Sequence, residues 1–228
     1  MGFLDNIPYF DGDKPLIIPH RGGANLVPEN TLHGLELVIR EGFSHFETDL
    51  RMSKDGEIFL HHDETFDRTT NVSGKVQDFN WSEISKINAG YKFYLKNNQK
   101  GRTTKFVRLT DALLMNQKLK FNLDLKQTGM AKKVVEIINS LNAKERVLVS
   151  SFSPKRLDEF LNESIFVASK ALSGIEFRAN NIESLDNLEK NSVDFYASVK
   201  SLYLQDRENK IENQTCLLYT SPSPRDRG

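Results

Sequence analysis

The chain has 228 residues, with 31 Lys plus Arg balanced against 31 Asp plus Glu, so its formal net charge is +0. That balance excludes a general electrostatic pull toward nucleic acid or an anionic membrane surface. Hydrophobic content of 38% and charged content of 27% suit a globular protein built as one α/β barrel or as one to two smaller domains. No apolar run is long enough to span a bilayer, so no stable membrane insertion is expected. Residues 1–14 are acidic and broken and lack the basic-then-apolar order of a signal peptide. The single Cys excludes an intramolecular disulfide framework and points to a reducing, cytoplasmic location. No internal repeat is visible.

In chain order, residues 16–19 (Leu-Ile-Ile-Pro) form a short apolar run that stops at His20-Arg21-Gly22-Gly23, which predicts a buried strand entering a loop. Asn30 or Thr31 is placed to cap a helix. Leu32, Leu35, Val38 and Ile39 form its apolar face, and Gly42 ends it. With a strand around Glu47-Thr48-Asp49 this makes a βαβ unit, whose strands are expected to be parallel. Residues two apart on a strand share a face, so the Glu47 and Asp49 carboxylates leave together. Such a pair repels itself unless a proton or cation lies between, and oxygen donors suit a hard divalent ion, Mg²⁺ or Ca²⁺. A third apolar run, Ile58-Phe59-Leu60, delivers His61 and His62.

Residues 63–110 break the βα rhythm and are too long for a simple loop. A short helix is predicted around Trp81. On its residues alone the segment also reads as a solvated loop. A helix is predicted over 108–116, with Thr110 as a possible cap. Residues 121–126 alternate strictly. Phe121, Leu123 and Leu125 should pack against helices, while Asn122, Asp124 and Lys126 point toward the mouth that Glu47 and Asp49 share. A helix over 129–141, a strand over 147–149, a helix starting at Ser153-Pro154, a strand over 165–168, a helix over 182–189 and a strand over 194–199 complete the expected elements. Neither Ser150 nor Ser151 has a clear base and orienting acid, so no serine nucleophile is expected.

Taken singly, the polar pieces have plain readings as a surface loop, the polar face of an edge strand, and a turn. As an ordered set they resemble the glycerophosphodiester phosphodiesterases. The matching motifs are His20-Arg21-Gly22, Pro28-Glu29-Asn30-Thr31, Glu47-Thr48-Asp49 with Asp55-Gly56, His62-Asp63, and Arg68-Thr69-Thr70-Asn71 with Gly74. The resemblance covers roughly residues 15–200. It implies a TIM (β/α)8-type barrel with a small insertion after strand 3, over the barrel mouth. It also implies small-molecule glycerophosphodiesters as substrates, cleaved to an alcohol and glycerol 3-phosphate. One divalent cation would sit on Glu47, Asp49 and Asp124, where the family usually has Glu at the third position. Arg21 and Lys126 would hold the phosphoryl oxygens. Lys126 could equally neutralise its carboxylate neighbours. His20 and His62 would serve as an acid and base pair, since imidazole titrates near neutral pH.

About seven strands are expected over residues 1–215, one short of a closed barrel. Residues 216–228, rich in Ser, Pro and Arg, resemble a translated sequencing adapter and are expected to be a non-native tail. The barrel is therefore expected to be truncated at its C-terminal end. The sequence leaves oligomeric state and alcohol specificity open. Two other functions fit less well. A lysophospholipase D-like or sphingolipid head-group phosphodiesterase would need an apolar rim. A non-catalytic phosphate-binding barrel, or an inactive fragment, would not need the complete set of imidazoles and carboxylates.

Overall fold

The computed structural model describes residues 8–10 and 17–171. Within them a four-stranded sheet runs in the order β2-β1-β3-β4, with β1 at His45–Met52, β2 at Ile58–Leu60, β3 at Lys120–Leu125 and β4 at Val147–Ser150. Pairs β1–β3 and β3–β4 are parallel. The second pair is joined by the helix α5 (Ala131–Ser140). This is the α/β architecture expected, in its parallel half.

Three strand expectations change. First, β2 pairs antiparallel with β1, Leu50 opposite Leu60 and Met52 opposite Ile58, where a regular barrel has only parallel neighbours. The cause is chain length. Residues 53–57 close a tight turn, with the Gly56 amide donating to the Ser53 carbonyl at 3.1 Å, and so short a link permits a hairpin but no crossover. Second, residues 17–19 form no strand. Their tie to the sheet is one bond, from the Glu47 amide to the Pro19 carbonyl at 3.3 Å. Third, residues 165–168 lie inside a long helix, α6 (Pro154–Ala171). A short apolar run cannot by itself be told from a turn of buried helix. Residues 172–228 lie outside the described residues, and with them the predicted helix over 182–189, the strand over 194–199 and the tail.

The helices follow their sequence signals closely. α1 (Leu32–Arg40) starts at Thr31, whose Oγ1 accepts from the Gly34 amide at 3.3 Å. Asn30 is therefore not the cap, and its side chain turns to the sheet. α4 (Leu109–Met115) begins after Arg108, and Thr110 lies within it. Apolar residues of α1, α4, α5 and α6 meet the alternate residues of all four strands in one core, which includes Leu35, Phe46, Leu113, Leu123, Val134 and Phe160. Phe121, Leu123 and Leu125 are buried in it as their alternation requires. Among the described residues no helix is long and apolar enough to cross a membrane.

Residues 63–110 fold with Phe59 around an apolar centre of their own and so are not a solvated loop. Phe59, on the face of β2 opposite Ile58 and Leu60, packs with Phe66, Val76, Ile84, Ile87, Ala89 and Phe106. The short helices α2 (Trp81–Ile84) and α3 (Tyr91–Lys96) fold over that cluster. Gly90 marks where α3 docks, since a Cβ there would come within 2.7 Å of Pro28 Cγ. His33 Nδ1 and the Tyr94 hydroxyl, 2.9 Å apart, close the same seam.

Phe46 is fully buried between the sheet and the His20–Gly22 turn, its ring 5.6 Å from Phe121. Phe46→Ala is expected to cost about 3–5 kcal/mol through lost burial and an unfilled cavity. A urea titration checks this, with a lowered midpoint and an unchanged slope expected.

Candidate active site

The site grows from the register of two parallel strands. Asp49 of β1 lies directly opposite Asp124 of β3, and Glu47 opposite Asn122. Two carboxylates are thus side by side, with a third two residues back on the same face. Asp49 is only 1% exposed. Its Oδ1 lies 3.0 Å from Lys126 Nζ, and its Oδ2 3.1 Å from Arg21 Nε. Asn30 Nδ2 also donates to Oδ2 at 2.8 Å, while Asn30 Oδ1 accepts from Thr48 Oγ1 at 2.7 Å. Burial alone would raise the Asp49 pKa, but Lys126 and then Arg21 outweigh it and bring it to about 2.

Lys126 bridges the strands, since its Nζ also donates to Asp124 Oδ2 at 2.9 Å. Burial would lower the ammonium pKa, yet Asp49 and Asp124 raise it above its ordinary value, so it remains charged. Glu47 behaves oppositely. Burial, then the neighbouring charge of Asp49, push its carboxyl well above the usual range, against the pull of the Arg21 amide, which donates to Glu47 Oε2 at 2.7 Å.

Arg21 reaches these groups because residues 20–22 form a 3₁₀ turn with Arg21 itself in the left-handed region (φ 51°, ψ 28°). Gly22 follows at φ 75°, and a Cβ on it would strike Phe46 at 2.8 Å. The turn therefore needs both glycine's freedom and its missing side chain. His20 stands at the start of this turn, Nε2 3.9 Å from Glu47 Oε2. His62 follows β2, whose extension places the His61 amide on the Asp49 carbonyl at 2.9 Å. The His62 ring lies near enough to Asp49 to act on it electrostatically. Its Nδ1 lies 2.6 Å from Asp63 Oδ1. Burial would raise the Asp63 pKa, but His62 and Arg68 hold it well below the usual range. An ionised carboxylate only accepts, so Nδ1 carries a proton.

All seven predicted site residues thus come from β1, the C-terminal ends of β2 and β3, and the turn beside them. Among the described residues, however, no group of three or more His, Cys, Asp or Glu side chains is arranged to hold a metal ion. The Lys126 ammonium stands where Asp49 and Asp124 converge. The donor chemistry still fits a hard cation, because three carboxylates face two cationic side chains and their oxygens suit such an ion. An ion shared by Asp49 and Asp124 would have to displace Lys126 from between them.

Four further residues belong to the site without having been given roles in it from sequence. Asn30 orients Asp49, and Glu29, Asp63 and Arg68 form an ion network beside His62. All four lie in the motifs that carried the resemblance, but motif membership does not say which side chains touch. His61, by contrast, is structural. Its ring is buried against Phe59, Phe66 and Phe106, and Nε2–H donates to the Thr65 carbonyl at 3.0 Å. Ser150 Oγ donates to Asn122 Oδ1 at 3.0 Å and Ser151 Oγ to the Leu125 carbonyl at 2.8 Å.

An α/β sheet with imidazoles, cations and carboxylates gathered on neighbouring strands offers groups that can hold an anion and move a proton. The sequence matches the glycerophosphoryl diester phosphodiesterase family over residues 20–200, and the chain belongs to that family. It is 36% identical over 145 residues to a glycerophosphodiester phosphodiesterase of Caldanaerobacter subterraneus, a match covering 61% of this chain and 59% of that protein. The crystal structure of a glycerophosphodiester phosphodiesterase from Agrobacterium tumefaciens superposes with a TM-score of 0.57 at 28% identity, covering 71% of this chain and 65% of that one. An Oleispira antarctica phosphodiesterase, solved with the product sn-glycerol-3-phosphate, gives a TM-score of 0.54 at 25% identity, covering 72% and 65%. These likenesses imply a TIM-barrel-like fold.

His61 generates a pH prediction. Burial lowers its pKa from 6.5 to about 4. Above pH 6.5 the ring is neutral in both folded and unfolded chains, and below it the unfolded chain takes up the proton first. Stability should therefore fall between pH 6.5 and about 4, by on the order of 3 kcal/mol from this residue. Urea midpoints across that range should fall less steeply in His61→Phe. An unchanged slope would assign the acid loss to other groups.

Proposed function

We propose that this chain hydrolyses glycerophosphodiesters to an alcohol and glycerol 3-phosphate. The observation that carries the proposal is the placing of Arg21 and Lys126 against the β1 and β3 carboxylates, next to a His62 ring whose tautomer is held by Asp63. A phosphodiester is anionic, and charge gathers on its non-bridging oxygens as the bond to the leaving alcohol breaks. Arg21 would hold those oxygens with a planar fork and Lys126 with a point charge. His20 and His62 would take a proton from the attacking oxygen and give one to the leaving alcohol oxygen, whether water attacks phosphorus directly or a glycerol hydroxyl first closes a cyclic phosphate that water then opens. Glu47, Asp49 and Asp124 would hold one divalent cation, Mg²⁺ or Ca²⁺, which supplies Lewis-acid polarisation of the phosphoryl group when bound. The product complex of the Oleispira protein supports a glycerol phosphate fit.

A head-group phosphodiesterase acting on lysolipid is the second reading. It is favoured by Phe152, 55% exposed, its ring centroid 5.3 Å from Lys126 Nζ, because such a surface could take an acyl chain.

Hydrolysis of glycerophosphocholine, followed by release of glycerol 3-phosphate, tests the first reading. Faster turnover of lysophosphatidylcholine would replace it with the second. His62→Ala should lower kcat by about 10²–10⁴-fold, and wild-type turnover in that variant would remove His62 from the chemistry. Glu47→Gln should weaken Mg²⁺ or Ca²⁺ binding in calorimetry together with activity. An unaltered binding isotherm would refute its assignment as a ligand.

A further inference from the structure

We propose that Arg68 is a positioning residue for His62, held in place by Glu29, so that the insertion supplies part of the active site. The inference rests on the reading of His62 as an acid–base group. Its evidence is a chain of charge-assisted hydrogen bonds continued by an ion pair. Arg68 Nε donates to Asp63 Oδ2 at 2.5 Å, and Asp63 Oδ1 accepts from His62 Nδ1 at 2.6 Å. On its other edge, Arg68 Nη1 donates to Glu29 Oε2 at 2.7 Å and Nη2 to Glu29 Oε1 at 2.6 Å. Glu29 Oε1 also meets Arg21 Nη1 at 3.2 Å, and Arg21 Nε meets Asp49. Alternating charges thus run from Asp49 through Arg21, Glu29, Arg68 and Asp63 to the His62 ring.

The guanidinium spans two carboxylates at once because its donors lie in one rigid plane. An ammonium is a single point and could satisfy only one edge. Both carboxylates stay ionised. Burial would raise the Glu29 pKa, and Arg68 outweighs it. The Arg68 backbone is itself fixed by the insertion. Asp67 accepts from Lys92 Nζ through its carbonyl, and the Lys92 amide donates to the Thr69 carbonyl at 3.1 Å. Freed of Arg68, Asp63 could turn from His62 Nδ1 and leave the ring to choose its tautomer and orientation.

The full 228-residue chain, ¹⁵N-labelled at histidine, tests this without any need for turnover. Two-bond ¹H–¹⁵N spectra, with the His62 signals identified by their loss in His62→Gln, are expected to show the Nδ1–H tautomer in the wild type. A mixture or the other tautomer is expected in Arg68→Ala, and a weaker change in Glu29→Gln. Wild-type ring signals in Arg68→Ala, even with a lowered melting temperature, would overturn the proposal, since Arg68 would then only pin the insertion. If Arg68→Ala does not fold, Arg68→Lys keeps the charge, loses the fork and is judged by the same signals. On glycerophosphocholine, kcat of Arg68→Ala should fall by about 10–100-fold, with KM much less affected and activity partly restored by added guanidinium. A wild type that does not turn over would defeat the proposed function, and the ring signals would still decide the role of Arg68.

Discussion

The buried negative charge of Asp49 is the constraint on which the rest of the site depends. A carboxylate this far from water is tolerated only if cations and donors replace its hydration. Here Lys126, Arg21 and Asn30 do so, each from a different part of the chain. Lys126 must come from the strand parallel to β1, in a register that sets Asp124 beside Asp49. Arg21 must come from a turn strained into the left-handed region. Asn30 must leave the cap position to Thr31. The compensation of one charge therefore fixes strand register, turn geometry and helix start together. Burial, and then the charge of Asp49 itself, push the pKa of Glu47, the third carboxylate, up.

The antiparallel β2 serves the same arrangement. A hairpin returns the chain to β1 at once, so His62 follows Asp49 in space with few residues between. The later residues are then free to build the insertion around Phe59. That insertion turns back on the segment 28–31 through Gly90, His33 and Arg68. Its apolar centre packs it against β2, and Arg68 reaches from it to Glu29 and to Asp63 beside the His62 ring.

Much of this was legible because the signals are local. The alternation in residues 121–126, the spacing of Leu32, Leu35 and Val38, and the pair Glu47 and Asp49 report their own faces by periodicity alone. The expectations that changed depended on partners. Residues 17–19 have a strand's composition, yet among the described residues a single bond, from the Glu47 amide to the Pro19 carbonyl, ties them to the sheet. Residues 165–168 are apolar enough for a strand yet continue the helix begun at Pro154. Strand direction at β2 followed from the length of its turn, which was visible but outweighed by the expectation of a regular barrel.

By itself, the sequence determined the residue chemistry of the site, the apolar faces of its helices and strands, and the family to which the chain belongs. Those properties reside in side-chain type and spacing. Only the tertiary structure decided that Lys126 lies between Asp49 and Asp124, that Asn30 orients a carboxylate, and that Glu29 and Arg68 join the two histidine motifs. Such contacts span from 19 to 77 residues of chain. No local propensity specifies a pairing over that distance, because it exists only once the strands are in register and the insertion has closed on its own core.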